Sequence, residues 1–175
     1  VMPSGDTAYR GGRGRGIFAG GGTPVSNRIE YITISTTGNS KDFGDLSTTN
    51  RSFGSFASST RGLFFGGDPS NNRIEYITIS ATGSAFDFGD LLSSSQYTSG
   101  SSNQTRGLIN SSYVDSANSD RIEYVTISNL GNSTEFGRLT QARRAMSTCA
   151  SPTRSISVGG LTPGDTNVMD YVTIA

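Results

Sequence analysis

The fold is decided by the stretch Arg28-Ile29-Glu30-Tyr31-Ile32-Thr33-Ile34, which returns three times further along the chain. The later copies run from Arg73 to Ile79, from Arg121 to Ile127 and, with substitutions, from Met169 to Ile174. β-Branched and aromatic residues favour strands, and these copies carry apolar side chains at both odd and even positions. Each copy therefore predicts a strand that is buried on both faces, as in a sheet lying between two others.

Two further motifs repeat in step with this strand. Runs of arginine, glycine and apolar residues begin at Arg15, Arg61, Arg106 and Arg154, a period of about 46 residues. The sequence Phe43-Gly44-Asp45-Leu46 recurs from Phe88 and, with Arg138 for the aspartate, from Phe136, each time thirteen residues after the repeated glutamate. Such fixed spacing predicts one all-β domain of four units, at residues 1–46, 47–91, 92–139 and 140–175.

Composition limits the possible functions. The chain has 175 residues with 23 glycines, and its 14 basic residues balance 14 acidic ones, so charge favours neither nucleic acid nor an anionic membrane as partner. It contains no histidine and one cysteine, Cys149, which leaves no intrachain disulfide and no Cys/His metal site. We therefore expect no cofactor, no metal and no catalytic residue, no membrane insertion, and a buried, inert Cys149.

The repeat resembles the kelch repeat. The resemblance lies in a glycine pair after an apolar strand, a tyrosine about ten residues later, an aromatic residue twelve beyond it and an arginine before the next apolar strand. Phenylalanine stands where kelch repeats usually have tryptophan, and Gln96 takes the place that Arg51 and Arg144 hold in other units. The resemblance implies a kelch-like β-propeller of four blades with four strands each, or a part of a larger propeller.

The sequences of the Ile-Glu-Tyr-Ile-Thr-Ile and Asp-Phe-Gly-Asp-Leu segments also resemble repeats in proteins of tailed phages, especially those of marine cyanobacteria. That resemblance implies a virion protein that is located on the extracellular particle. Its partners would be other virion proteins in a multi-subunit assembly, with a host-surface glycan as a further partner.

The repeat register leaves the last unit without its outermost strand. Aligning Arg15 with Arg61 makes Val1 follow an outer strand that is missing, and Ala175 then precedes the next one. Three arrangements are open: closure of four blades alone, a larger ring of two chains, or a segment of a longer or processed chain. An unpaired strand edge would be a docking site.

Charged residues repeat together with the strands. Arg28, Arg73 and Arg121 each precede a glutamate by two positions, and these arginines and glutamates are predicted to form structural charge pairs. The alternative is a ring of glutamates around an axial channel that binds a cation. A buried glutamate would need its arginine or backbone N–H groups as partners.

Two other patterns suggest chemistry and are better explained by the repeat. The carboxylates of Asp42, Asp45, Asp87 and Asp90 could serve acid–base cleavage of glycosides, but their repetition predicts a turn motif instead. The segment from Arg10 to Gly16 resembles an arginine-glycine nucleic-acid motif, whereas the register predicts an innermost strand and turn from Arg10 to Gly14.

The third unit breaks the repeat. Ser111-Ser112 replaces the glycine pair, and the longest variable loop follows from Tyr113 to Asp120. Tyrosine offers a stacking surface and Asp or Asn offers hydrogen bonds, so the candidate contacts for a glycan or a protein partner are Tyr113, Asp115, Asn118 and Asp120. Tolerated drift of a surface loop explains the same sequence.

Three functions follow from these patterns. The first is a non-enzymatic virion structural or appendage protein, whose blades form a rigid platform for assembly or host-surface contact. The second is a carbohydrate-binding, lectin-like propeller, and the third is a glycan-cleaving enzyme.

Overall fold

A computed structural model describes residues 14–174, and within this range the chain forms β-strands and no α-helix. The predicted all-β class is confirmed. Within the same range no helix is long and apolar enough to cross a membrane. Of the innermost strand predicted from Arg10 to Gly14, all but Gly14 lies outside the described residues.

The strands form successive antiparallel sheets along the chain. The first sheet has the order β1-β2-β3, with β1 at Arg15–Ala19, β2 at Ser26–Thr33 and β3 at Lys41–Asn50. The second contains β4 (Gly54–Ala57), β5 (Arg61–Phe65), β6 (Asn71–Thr78) and β7 (Phe86–Gln96) in sequence order, and β10 and β11 extend it beyond β7. The strands β3 and β7 continue past Leu46 and Leu91, so each sheet reaches beyond the last residue of its repeat motif.

The third sheet contains β8 (Ser99–Ser102), β9 (Arg106–Asn110), β12 (Arg121–Thr126) and β13 (Thr134–Arg138). The fourth contains β14 (Ser147–Ala150), β15 (Arg154–Val158) and β18 (Met169–Thr173). Two short hairpins fill the variable segments, formed by β10 (Tyr113–Val114) with β11 (Ala117–Asn118) and by β16 (Leu161–Thr162) with β17 (Gly164–Asp165). The strand that begins at the repeated arginine and the strand that carries the repeated tyrosine thus pair with each other in each of these four sheets.

Each pair of consecutive sheets encloses its own apolar cluster. Ile74 and Ile77 on β6 show the principle: Ile77 packs against the first sheet and Ile74 against the third, and both are buried. A third cluster around Leu108, Ile122 and Ile174 joins the third and fourth sheets. Burial on both faces, expected from the sequence, is confirmed for β6, because strand residues three apart point to opposite sides.

A hydrogen bond from an arginine side chain links each sheet to the next at all three junctions between consecutive sheets. We call such a link between sheets a tie. The guanidinium of Arg15 donates from Nη1 to the carbonyl of Ile79 in the second sheet at 2.7 Å. Arg61 and Arg106 donate in the same way, at 2.8 Å to Ile127 and at 2.9 Å to Ile174. Each guanidinium also lies over a tyrosine ring of its own sheet, 4.6 to 5.0 Å from the centroid, in the pairs Arg15–Tyr31, Arg61–Tyr76 and Arg106–Tyr124. The tyrosine positions the arginine for the next sheet.

Backbone hydrogen bonds form a second tie at the outer strands. Gly83 N–H donates to the carbonyl of Phe43 at 2.7 Å, and Ala85 N–H donates to that of Asp45 at 2.8 Å. The same pattern joins the second and third sheets, where Gly131 and Ser133 donate to Phe88 and Asp90. The turn after the third strand of one sheet is thereby fixed on the outer strand of the sheet before it.

Two expectations from the sequence are wrong. The Asp-Phe-Gly-Asp segments lie within β3 and β7 and are not turns; the pairing shifts register opposite Glu30 and Glu75, and the glycines absorb the irregularity with φ of +150° at Gly44 and +148° at Gly89. Cys149 is exposed, because it lies on β14 of the last sheet and no further described sheet covers it.

Candidate functional site

The segment predicted as a variable loop, from Tyr113 to Asp120, is largely a β-hairpin. Asp115 and Ser116 form its two-residue turn, with φ of +49° and +63°, which is the conformation of a type I′ turn. Strand β10 then pairs with the end of β7, with Tyr113 opposite Gln96 and Val114 opposite Ser95. A segment of the third unit therefore extends the second sheet, and this fixes the position of Tyr113.

The hairpin brings four side chains together, which we call the Tyr–Arg cluster: Tyr97, Tyr113, Asn118 and Arg144. The two tyrosine rings meet edge to face with 6.0 Å between centroids. The Arg144 guanidinium lies 5.0 Å from the Tyr113 centroid and 6.0 Å from that of Tyr97. Tyr97 is 38% exposed, so one ring of the cluster is open to solvent.

Asn118 holds the cluster in place through both ends of its amide. Its Oδ1 accepts a hydrogen bond from Arg144 Nη1 at 3.1 Å, and its Nδ2 donates to the carbonyl of Leu161 at 3.1 Å. Leu161 in turn pairs with the backbone of Arg144. The arginine is thus fixed by hydrogen bonds before any ligand arrives, which lowers the entropy lost on binding.

The other two candidate residues lie apart from this cluster. Asp115 is exposed at the tip of the hairpin and has no hydrogen bond or ion pair within the described part of the chain. Asp120 binds Arg138 at 2.8 Å. That hydrogen bond, together with the charges of Glu135 and Asp120, raises the pKa of the Arg138 guanidinium. The structure therefore brings Tyr113 and Asn118 together and leaves Asp115 and Asp120 outside.

Two members of the Tyr–Arg cluster were not among the predicted site residues. Tyr97 has a positive φ of +52°, and its repeat equivalents Ser52 and Ala145 both have φ of +54°. Arg51, Gln96 and Arg144 occupy the same repeat position, and the backbone of each pairs with the variable segment of its own unit. Their partners are Asp68, Tyr113 and Leu161, respectively. The repeat register was therefore a sufficient signal, because it places this position beside the variable segment in the second, third and fourth units.

The repeated glutamates form structural pairs, as predicted, and their burial increases along the chain. Glu30 is half-exposed with Arg28 at 3.8 Å, whereas Glu123 is fully buried with Arg121 at 3.0 Å. Glu123 also accepts hydrogen bonds from the hydroxyl groups of Ser111 and Ser133. An inaccessible carboxylate with this many donors is a satisfied structural group.

These carboxylates also form a third tie between sheets. The backbone N–H groups of Ser47 and Leu92, which follow the outer-strand leucines, donate to Glu75 and Glu123 of the next sheet at 3.1 Å. Thr140 occupies the same place before the fourth sheet, and its hydroxyl donates to Asp170 at 2.6 Å. The glutamates thus face the outer strands β3 and β7, which is not the arrangement of an axial ring of cation ligands.

The acidic pairs proposed for glycoside cleavage lie on two different sheets. Asp42 and Asp45 are exposed on β3, and Asp87 and Asp90 are exposed on β7. Among residues 14–174 there is no group of three or more Cys, Asp or Glu side chains placed to hold a metal ion. The backbone groups of Asp45 and Asp90 serve the junctions between sheets.

An open groove of about 440 Å³ lies between β1 and β4. Ile17, Phe53 and Phe64 form its apolar wall, and Arg51 provides its charged group. Arg51 is already bound to Asp68 at 2.6 Å, so the groove offers less recognition chemistry than the Tyr–Arg cluster.

Comparison with models of known protein families found no match for this chain, and comparison with curated proteins found none either.

Proposed function

We propose that this chain is a non-enzymatic structural or appendage protein of a virion, in which kelch-like propeller blades form a rigid platform for assembly or host-surface contact. The observation that carries the proposal is the repetition of the same three ties at the first two junctions, with the arginine tie also present at the third. Arginine, carboxylate and backbone ties recur with nearly constant geometry between the first and second sheets and between the second and third. Sheets that are tied together in this way are suited to a rigid platform.

The propeller arrangement is supported by the form of the repeat. The second and third units each supply four antiparallel strands in sequence order, and each sheet packs on the next through an apolar cluster. Propeller blades are four-stranded sheets packed around an axis. The short strands β4, β8 and β14 would lie nearest that axis, consistent with the hydrogen bonds from Ser102 to Ala57 and from Thr148 to Gly100 that join them.

The virion assignment rests on the resemblance of the repeat sequence to repeats in proteins of tailed phages. It is tested in a phage whose genome encodes the chain, by mass spectrometry of purified particles. We expect peptides of this protein at a fixed ratio to a major particle protein, and immunogold labelling at one particle site. Recovery of the protein only in the soluble lysate, together with a known non-structural phage protein as control, would contradict the proposal.

The second candidate function is carbohydrate binding, and the Tyr–Arg cluster favours it. An exposed aromatic face beside fixed amide and guanidinium groups suits a sugar ring, which offers C–H groups to the ring and hydroxyl groups to the polar atoms. Tyr97 supplies the exposed ring, and Arg144 and Asn118 supply the polar atoms.

A glycan array with matched variants tests this function. We expect Tyr97→Ala to reduce binding of any recognised glycan at least tenfold, since stacking on that ring would be lost. Phe86→Ala is the control, because Phe86 is an exposed aromatic residue at the start of β7, the strand that Tyr97 directly follows, and lies outside the cluster. Equal loss in both variants, or no bound glycan at all, would remove the sugar-binding function and leave the particle assignment untouched.

The same glycans serve to test the absence of catalysis. A bound oligosaccharide should be recovered intact after prolonged incubation with the protein. Release of new reducing ends that disappears in the double variant Asp87→Asn/Asp90→Asn would show that the chain is an enzyme.

A further inference from the structure

The first and the fourth sheets each have one face that no other sheet of residues 14–174 covers. We call the face of a sheet that points to the next sheet along the chain its front face and the opposite one its back face. On the back face of the first sheet, Phe18 is 56% and Ile34 is 68% exposed. Their equivalents in the second sheet, Phe64 and Ile79, are buried at 7% and 5% by the sheet before them.

Polar groups on this back face also lack the partners that their equivalents have. Glu75 and Glu123 accept a hydrogen bond from the preceding sheet, whereas Glu30 has only Arg28 nearby within the described part of the chain. The N–H groups of Gly38 and Ser40 correspond to those of Gly83 and Ala85, yet they donate to no described backbone carbonyl. The carbonyl of Ile34 likewise accepts no described hydrogen bond.

The front face of the fourth sheet carries the complementary groups. A row of three paired residues crosses β14, β15 and β18 on this face: Cys149, Ile156 and Tyr171. The equivalent row in the third sheet is Ser101, Leu108 and Tyr124. Met169 and Tyr171 are 65% and 66% exposed. In the third sheet the same row is covered, and Leu108 is 2% exposed.

Arg154 is the clearest of these groups. Its guanidinium lies 4.6 Å from the Tyr171 centroid, the same position that Arg15, Arg61 and Arg106 hold over their tyrosines. Those three arginines reach an isoleucine carbonyl of the next sheet, but Arg154 donates no side-chain hydrogen bond within residues 14–174. It is positioned for an acceptor equivalent to the carbonyl of Ile34.

We propose that the back face of the first sheet is a docking surface for the front face of the fourth sheet of a second copy of this chain. Arg154 of one copy would then donate to Ile34 of the other, and Met169 and Tyr171 would cover Phe18 and Ile34. Within residues 14–174 the first and fourth sheets of one copy share no hydrogen bond and no apolar cluster. The inference goes beyond the proposed function, since it holds equally for a sugar-binding protein.

The contact is heterologous, because two different faces meet. Heterologous contacts close into a ring when the rotation between copies allows it. Two copies of four sheets make eight, which lies within the range of known propellers, and such a ring has two identical junctions. The expected assembly is therefore a symmetric dimer.

The oligomeric state of the full chain tests the proposal. Light scattering after size-exclusion chromatography should give twice the monomer mass. The back-blocked variant Phe18→Asp/Ile34→Asp and the front-blocked variant Met169→Asp/Tyr171→Asp should each be monomeric. Mixing the two should restore a dimer with one junction, because each variant retains the face that the other lacks. The control Phe86→Asp/Leu92→Asp, which changes two exposed apolar residues of β7, should remain dimeric.

Cys149 provides a second measurement that needs no variant. It is the only cysteine and is exposed on the front face of the fourth sheet in a single copy. Its rate of reaction with a thiol reagent should fall as protein concentration rises. A wild-type chain that stays monomeric at its highest soluble concentration, or blocked variants that still dimerise alone, would overturn the proposal. Neither result depends on whether the protein is found in particles.

Discussion

Arg143 and Asp170 form an ion pair inside the fourth unit, with 2.7 Å between Nη1 and Oδ2 and a fully inaccessible arginine side chain. Arg143 also donates from Nε to the carbonyl of Gly159 at 2.9 Å. Asp170 stands at the repeat position of the buried glutamates, but Val168 replaces the arginine that precedes them by two residues. The fourth unit therefore obtains its buried cation from a different part of the chain.

Replacing Arg143 by methionine should destabilise the protein by about 3 kcal/mol, because it leaves the Asp170 carboxylate buried without its partner. Urea unfolding measures this change as a lower midpoint. Arg138→Met is the matched control: Arg138 binds Asp120 and Glu135 at the surface, so its loss should leave the midpoint nearly unchanged. Equal effects of the two substitutions would show that the buried pair has no special role.

The same pair predicts how stability depends on pH. Burial by itself would raise the pKa of Asp170, but the hydrogen bond from Thr140 and the hydrogen bond and charge of Arg143 outweigh it, so the pKa lies below its ordinary value. A carboxyl whose pKa is lower in the folded state stabilises the protein fully above its unfolded pKa of about 4. This stabilisation is lost as pH falls through the folded pKa.

Urea midpoints measured from neutral to strongly acidic pH test this dependence. The wild-type midpoint should fall below about pH 4, and the fall should be shallower in Asp170→Asn, which has no carboxyl to protonate there. Asp115→Asn removes an exposed carboxylate and should retain the wild-type slope. A wild-type slope in Asp170→Asn would mean that other groups control the acid transition.

The glutamate series offers a comparison within one repeat position. Glu123→Ala should cost about 3 kcal/mol, because it removes a fully buried carboxylate and leaves Arg121 and the Leu92 N–H without their acceptor. Glu30→Ala should change stability by less than about 0.5 kcal/mol, since that side chain is half-exposed. Urea unfolding of both variants measures the contrast. Equal losses would contradict the gradient of burial along the chain.

The sequence predicted the strands well because their apolar pattern and spacing repeat. Fixed spacing identified the arginine, the glutamate and the outer-strand leucine of each unit, and the structure places them at equivalent points of successive sheets. The sequence did not predict that Asp-Phe-Gly-Asp forms a bulged strand, because aspartate and glycine are typical of turns. Gly44 is required both by its φ of +150° at the bulge and by the close approach of the Gly83 backbone in the next sheet. The partner surface, not the local sequence, decides that conformation.

The candidate site was predictable only in part. Tyr113 and Asn118 come together because a two-residue turn folds the variable segment back on itself, and an Asp-Ser pair is a weak signal for that turn. Tyr97 and Arg144 join them from distant parts of the chain through the stacking of sheets. The pairing of Arg144 with Leu161 is different, because it lies within the fourth unit and follows the repeat register, as Arg51 pairs with Asp68 in the second unit.

Two glycines at the junction of the second and third sheets give the last prediction: Gly89 at the bulge of β7 and Gly131 in the turn between β12 and β13. They have almost the same φ, +148° and +150°, but only Gly89 is crowded: a methyl group there would overlap the carbonyl of Gly131 in the next sheet. Gly131→Ala should therefore lose about 1–3 kcal/mol through backbone strain alone. Gly89→Ala should lose a further 1–3 kcal/mol, roughly, because the second and third sheets must separate to admit the methyl group. Urea unfolding gives both values, and hydrogen exchange at the Gly131 and Ser133 N–H groups should accelerate more in Gly89→Ala. Equal stability of the two variants would show that close approach of the two backbones at this bulge does not hold the sheets together.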